Sequence, residues 1–249
     1  SPNKLAVVLK GGFGSHNQES IRFSSYERSL FLSTPLLSKD TIKAYVNEIK
    51  LRKINILRAL PSSLNVFCDL LGTISKETWP QFKMVSLSSE MLTVPHLEKF
   101  RFYFPDAEIF SWYGHSEHAV FASQCTKSRV YHPNELYGFT EVLKEDLSAQ
   151  ENNMDGLIVG TSYWASPTLF IRYMTDDVAT VGPSHCAYCG QRGQTLNQIK
   201  GRSSDYFIGK DGVKISATVM NLQDDTYDGV LEFQFYQETP GEVKFSFVE

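Results

Sequence analysis

Apolar positions recur along this chain with two different periods, and the change between them organises it. Ile42, Tyr45, Val46 and Ile49 fall three or four residues apart in a segment that is otherwise charged, which predicts an amphipathic helix opened by Ser38. A second helix is expected where Pro61-Ser62-Ser63 leads into Leu64, Phe67 and Leu71, with Gly72 at its end. Residues 95–104 predict a third. Short apolar runs at 4–9, 55–60, 83–88 and 107–112 read as strands. Strand and helix alternate with short links, so residues 1–150 are expected to form a layered α/β sheet.

Past Gln150 the helical period disappears. Runs at 156–161, 168–173 and 177–181, followed by a Gly/Pro/Cys-rich loop, predict a small β subdomain over 151–201. Residues 201–205 read as a linker. Beyond it, 206–208, 213–217, 230–237 and 242–248 read as strands of a separate unit spanning 202–249, with Thr239-Pro240-Gly241-Glu242 as a hairpin turn. Gly11-Gly12-Phe13-Gly14 lacks the Gly-Lys-Ser/Thr ending of a phosphate-binding loop and reads as a plain turn.

Composition narrows the class. With 249 residues, 42% hydrophobic and 13% aromatic, the chain is expected to be globular with a substantial core. No apolar run approaches a membrane span and no signal-peptide pattern opens the chain, so a cytoplasmic protein is expected. A net charge of −4 argues against nucleic acid as the main partner. Four cysteines are too few for a disulfide framework in a chain of this length. Cys68, beside Phe67, reads as small hydrophobic filling. Cys186-Ala187-Tyr188-Cys189, followed by Gly190, is a C-x-x-C knuckle whose thiolates can share a metal; ordinary loop thiols are the alternative.

The densest candidate chemistry is Phe110-Ser111-Trp112-Tyr113-Gly114-His115-Ser116-Glu117, at the end of a predicted strand. A Tyr face can stack on a planar base, glycine admits a ligand to the backbone, a hydroxyl can bond a phosphate oxygen, and a carboxylate can hold a divalent cation. Two stretches follow in order: Arg172-Tyr173-Met174-Thr175-Asp176-Asp177, and Gly201-Arg202-Ser203-Ser204-Asp205 ahead of Gly212-Val213-Lys214-Ile215. Together they resemble the Tyr-Gly-x-Ser/Thr-Glu, Arg-Tyr-x-Thr-Gly-Asp and Gly-Arg-x-x-Asp motifs of the adenylate-forming superfamily. Within it the chain is most similar to phenylacetate–CoA ligase and the CapK-like proteins of polysaccharide loci.

The resemblance implies an α/β adenylation domain, a small β subdomain and the start of a mobile C-terminal α+β domain. It implies that ATP and Mg²⁺ are used to convert a small-molecule carboxylic acid into an acyl-adenylate. Transfer would follow to coenzyme A, a carrier-protein thiol or a sugar amine. Tyr113 would pack on adenine beside Gly114, Ser116 would meet the α-phosphate, Glu117 would coordinate Mg²⁺, and Asp177 and Arg202 would bond the ribose. His115 reads either as an acyl-pocket residue or as a surface imidazole. Cys125 and His132 would complete a structural Zn²⁺ site with Cys186 and Cys189, His185 competing with His132. The chain departs from the pattern at Ser89 and Asp176, where the family has glycine, and at Ser204, where Asp205 follows as the hinge acid. A Ser/Thr/Gly-rich phosphate loop and a lysine-bearing C-terminal motif are not found, so a piece of an enzyme is expected, inactive in adenylate formation by itself. The alternative is a non-catalytic nucleotide- or acyl-binding module of the same fold. A homodimer stays open.

Overall fold

In the computed structural model the described residues are 5–10, 20–164, 168–202, 206–216, 230 and 232–248. The glycine turn expected at 11–14 and the hinge residues 203–205 lie outside them. Contacts divide the chain into two compact units, Ser1–Ser116 with Phe121–Arg129, and Glu117–Val120 with Val130–Glu249.

The first unit is built on strands β1 (Ala6–Lys10), β2 (Ile21–Ser24), β3 (Ser29–Ser33), β4 (Ile56–Ala59), β5 (Met84–Ser88), β6 (Glu108–Gly114) and β7 (Phe121–Gln124). They lie in the order β2-β3-β1-β4-β5-β6-β7. β3, β1, β4, β5 and β6 run parallel, while β2 and β7 pair antiparallel at the two ends. Helices α1 (Ile42–Leu51), α2 (Pro61–Leu71) and α3 (Val94–Tyr103) contribute Ile42, Tyr45, Leu64, Phe67, Leu71 and Phe100 to one core with Val7, Leu30, Leu57, Val85 and Leu87. Cys68 is fully buried there, and desolvation pushes its thiol pKa well up, as suits filling and not chemistry.

Three local differences from the sequence expectation have physical causes. β2 and β3 were not foreseen. β3 is buried at every position and offers only Leu30-Phe31-Leu32 as an apolar run, too short to show a period. The first helix starts after Thr41, not Ser38: the Ser38 N–H donates to Thr41 Oγ1 at 2.9 Å and the Thr41 N–H to Ser38 Oγ at 3.3 Å, closing a turn ahead of it. In α2 the cap position is Leu60, which has no oxygen to offer, and Glu90 substitutes for it. Its carboxylate accepts from the Ser62 N–H at 2.9 Å and the Ser62 hydroxyl at 2.7 Å.

The second unit holds an antiparallel sheet of β8 (Tyr131–Pro133), β9 (Gly138–Leu143), β10 (Asp155–Ser162), β11 (Tyr173–Val181) and β12 (Leu196–Arg202) in the order β8-β12-β11-β10-β9. No strand forms over 168–172, because Arg172 sits at φ 47° and the ladder begins only at Tyr173. The expected linker starts inside β12, where Gly201 and Arg202 pair with Val178 and Asp177. Two hairpins follow, β13 (Tyr206–Ile208) with β14 (Lys214–Ser216), and β15 (Glu232–Thr239) with β16 (Glu242–Val248). Gly241, at φ 81°, supplies the left-handed residue of the expected hairpin turn. No described helix is long and apolar enough to cross a membrane.

Candidate nucleotide and metal sites

In the first unit, Tyr113 and Gly114 are the last two residues of β6, paired with Ala122 and Phe121 of β7. The motif therefore begins inside the strand, and the next element is the antiparallel strand β7. Ser116, just beyond, is exposed, and His115 is half-buried with its ring edge-on to Tyr113 at 6.0 Å. Ser88 ends the neighbouring parallel strand, so these residues share the carboxyl edge at which open α/β sheets bind ligands. Ser89 follows at φ 66°. This is a left-handed backbone that glycine would adopt without strain.

Glu117 belongs to the second unit, and two glycines put it there. A methyl group on Gly138 would stand 2.5 Å from the Ala119 carbonyl oxygen, and one on Gly160 would stand 2.5 Å from Val120 Cγ2 and 2.9 Å from that same oxygen. The Ala119 backbone and the Val120 side chain thus lie directly against β9 and β10. Glu117 is carried over the sheet with them. Opposite Gly160 on β11 is Tyr173, whose phenol donates to Glu117 Oε1 at 2.8 Å. The Phe170 ring stands edge-on to Tyr173 at 5.0 Å. The hydrogen bond to Glu117, burial and the Glu117 charge raise the phenol's pKa, Arg202 opposes them and Asp177 adds to them. The phenol therefore stays protonated and donating in the neutral range.

Asp177 is aimed by a bulge. Val178 pairs with Leu157 and Met174 with Val159, so three residues of β11 stand opposite the single Ile158. The Thr175 hydroxyl fills the gap, donating to the Ile158 carbonyl at 2.9 Å and accepting from the Asp177 N–H at 3.2 Å. That is the physical use of a threonine two residues before the acid. On its other edge Asp177 is the direct cross-strand partner of Arg202. Asp176, in the glycine position, sits at φ 64° and is exposed. Arg172 grips Glu141 through two bonds of 3.1 and 3.2 Å, which commits its guanidinium to an ion pair.

The cysteine knuckle brings possible metal ligands together. The Gly190 N–H donates to the Cys186 carbonyl at 2.9 Å and Gly190 takes φ 80°, turning the chain back over the two thiols. Cys189 Sγ lies 3.5 Å from His132 Nε2, and the ligand atoms of His132, Cys186 and Cys189 all lie within 4.8 Å of one another. Zn–S and Zn–N bonds at tetrahedral angles put sulfur and nitrogen about 3.5 Å apart, so the donor set fits zinc. His132 is buried on β8, whereas His185 is exposed and bridges to Arg192; the imidazole at the knuckle is His132. Cys125 is buried just after β7, in the first unit.

Of the residues singled out from sequence, the second unit joins Glu117 to the Tyr173 phenol, pairs Asp177 with Arg202 across β11 and β12, and brings His132 together with Cys186 and Cys189. The first unit holds Tyr113, Gly114, Ser116 and Cys125. Tyr173, Gly138 and Gly160 went unread as site residues. Tyr173 was visible in the Arg-Tyr-x-Thr stretch, but the two glycines carry no local signal, because what lies against them comes from a distant segment.

No protein-family model and no curated protein sequence matches the chain. Solved structures do. A 2-hydroxyisobutyryl-CoA ligase in the postadenylation state with 2-HIB-AMP superposes with a TM-score of 0.64 at 14% identity over 99% of this chain and 55% of that one. The same ligase in an open conformation with 2-HIB-AMP and CoA gives 0.58 at 15% identity over 93% and 56%. An anthranilate CoA ligase, AuaEII, with anthranoyl-AMP gives 0.57 at 13% identity over 88% and 43%. The chain spans about half the length of these proteins. At such identity the likeness speaks for architecture: this chain has the mixed α/β fold of adenylate-forming acyl-CoA ligases.

Proposed function

We propose that the protein activates a carboxylic acid with ATP as an acyl-adenylate and passes the acyl group to a thiol or amine, in the manner of the CoA ligases whose fold it has. The observation that carries this reading is that residues of three separate motifs meet on β11 and β12, where the Tyr173 phenol bonds Glu117 and Asp177 pairs with Arg202. In the proposed roles the substrate carboxylate attacks the α-phosphorus, the bond to the bridging oxygen breaks, and pyrophosphate leaves. Asp177 accepts both ribose hydroxyls, since one carboxylate takes two donors, and Arg202 bonds the ribose from the end of β12. Tyr113 lies on adenine beside Gly114, and Ser116 bonds the α-phosphate. Glu117 holds Mg²⁺, which would neutralise charge on the phosphates. These groups act by position and charge in a site that excludes water.

Cys125, His132, Cys186 and Cys189 are a set with the ligand chemistry of structural zinc, and we assign Cys125 as the fourth ligand on its burial seven residues before His132. Four protein ligands leave no open position, so this metal would serve folding and not reaction. Residues from 203 on are proposed as the start of a mobile C-terminal domain, coenzyme A or a carrier protein as acyl acceptor, and polysaccharide biosynthesis as the setting. One observation favours a second reading, a nucleotide-binding module without turnover. Asp176 places a second carboxylate beside Asp177, where like charge weakens phosphate binding.

Acid-dependent ATP–pyrophosphate exchange by the intact protein across aryl, fatty and amino acids tests the proposal. Exchange with any of them supports the ligase, and ATP binding with no exchange across the whole panel selects the binding module.

A further inference from the structure

In the first unit the turn after β5 is tied to the loop after β4. Both carboxylate oxygens of Glu90 bind Ser62: Oε2 accepts from the Ser62 N–H at 2.9 Å and Oε1 from the Ser62 hydroxyl at 2.7 Å. Ser62 and Ser63 are buried, and Thr34, directly after β3, donates to Ser63 Oγ at 3.3 Å. Loops that leave three strands at their carboxyl ends are thereby laced together. Ser89 is held between two fixed points, since Ser88 is paired with Trp112 in the β5–β6 ladder and Glu90 is clamped on Ser62. The clamp sits one residue beyond the left-handed Ser89 at φ 66°, a conformation that an L side chain keeps only when its surroundings impose it.

The place of this turn gives the restraint a use. Because Ser88 pairs with Trp112, Ser89 follows level with Tyr113 on the adjacent parallel strand. Stacking on an aromatic ring tolerates any base, since every base has a π-face; discrimination between bases comes from hydrogen bonds to their edges. A base lying on Tyr113 would have the end of β5 beside its edge, with the hydroxyls and backbone groups of Ser88 and Ser89. Resting on the nucleotide reading above, we infer that Glu90 is a positioning residue for base selection: it touches no nucleotide, and through Ser62 it fixes the Ser88–Ser89 turn against which the base edge is read.

Calorimetry of ATP and of GTP, each with Mg²⁺, on the intact wild-type protein, Glu90→Ala and Ser62→Ala separates the outcomes. GTP has the same phosphates and ribose and a purine of the same size with a different edge, so the ratio of the two affinities isolates base reading from every other contact. Glu90→Ala is expected to lower ATP affinity about tenfold, the size of a hydrogen bond to a charged group, and to leave GTP affinity unchanged, so that the preference for ATP shrinks by the same factor. Glu90 also caps α2, and its loss could unfold the unit; Ser62→Ala removes the hydroxyl bond and keeps the N–H bond to the helix. It is expected to narrow the preference about threefold. Equal losses for ATP and GTP in the folded variants, or an unchanged ratio in Ser62→Ala, would show that the clamp serves the fold alone and overturn the inference. A wild type that binds both nucleotides without preferring ATP overturns the inference and leaves the nucleotide reading standing. One that binds neither overturns both.

Discussion

Asp177 and Arg202 face each other directly across β11 and β12, a carboxylate and a guanidinium that the sequence separates by an entire loop and knuckle. The ladder alone would not orient them. On one side Asp177 leaves a bulge that Thr175 fills, and on the other Arg202 follows Gly201 at φ 86°, where a second shift in register skips Lys200. Two irregularities in adjacent strands therefore bring the pair into register.

If Asp177 holds ribose, its removal has a definite size. Asp177→Ala should weaken ATP·Mg²⁺ binding by about 1–3 kcal/mol, as expected for a hydrogen-bonding charge. Calorimetry on the intact protein measures it, and an unchanged affinity would remove Asp177 from the site.

The knuckle predicts metal in protein purified without added zinc. Close to one equivalent per chain is expected, and His132→Ala should lower both the metal content and the melting temperature. Less than about a third of an equivalent in the wild type, or a disulfide between Cys186 and Cys189, would exclude the zinc site.

Ser89 and Asp176 hold left-handed backbone that glycine adopts freely. Ser89→Gly and Asp176→Gly should each stabilise the fold by up to about 1 kcal/mol, the relief of strain exceeding the added flexibility of the unfolded chain. Serine should gain more than aspartate, which tolerates this conformation better. Asp176→Gly should also tighten nucleotide binding by removing a like charge from beside Asp177. Urea unfolding reads the first effect and calorimetry the second. Destabilisation by both substitutions would mean that these side chains make contacts worth more than the strain.

Gly160→Ala should cost about 1–3 kcal/mol through overpacking, because its methyl group meets Val120 and the Ala119 carbonyl. Gly138→Ala meets only backbone oxygens, at 2.5 and 2.9 Å, and should cost more. Both should lower ATP·Mg²⁺ affinity by displacing Glu117. A variant that is destabilised yet binds normally would show that the slot holds the fold without placing the acid.

The sequence by itself determined much of this protein. Ile42, Tyr45, Val46 and Ile49 marked α1 because a helix must present one face to a core, and that face is periodic in sequence. Pro61 marked the start of α2, and the apolar run before Tyr113 marked β6, since φ restriction and strand burial are local demands. The three motifs were legible for the same reason. What only the tertiary structure decided are relations between distant segments: β3, whose burial depends on its neighbours and not on a period; Glu90, which caps a helix 28 positions earlier; the choice of His132 over His185 at the knuckle; and Gly138 and Gly160, whose missing side chains matter because the Ala119 carbonyl lies against both. Tyr173 stands between the two cases. Its residue type was in plain view within a motif, but a phenol becomes a support for Glu117 only when folding brings the carboxylate within 2.8 Å, and a one-dimensional pattern does not contain that distance.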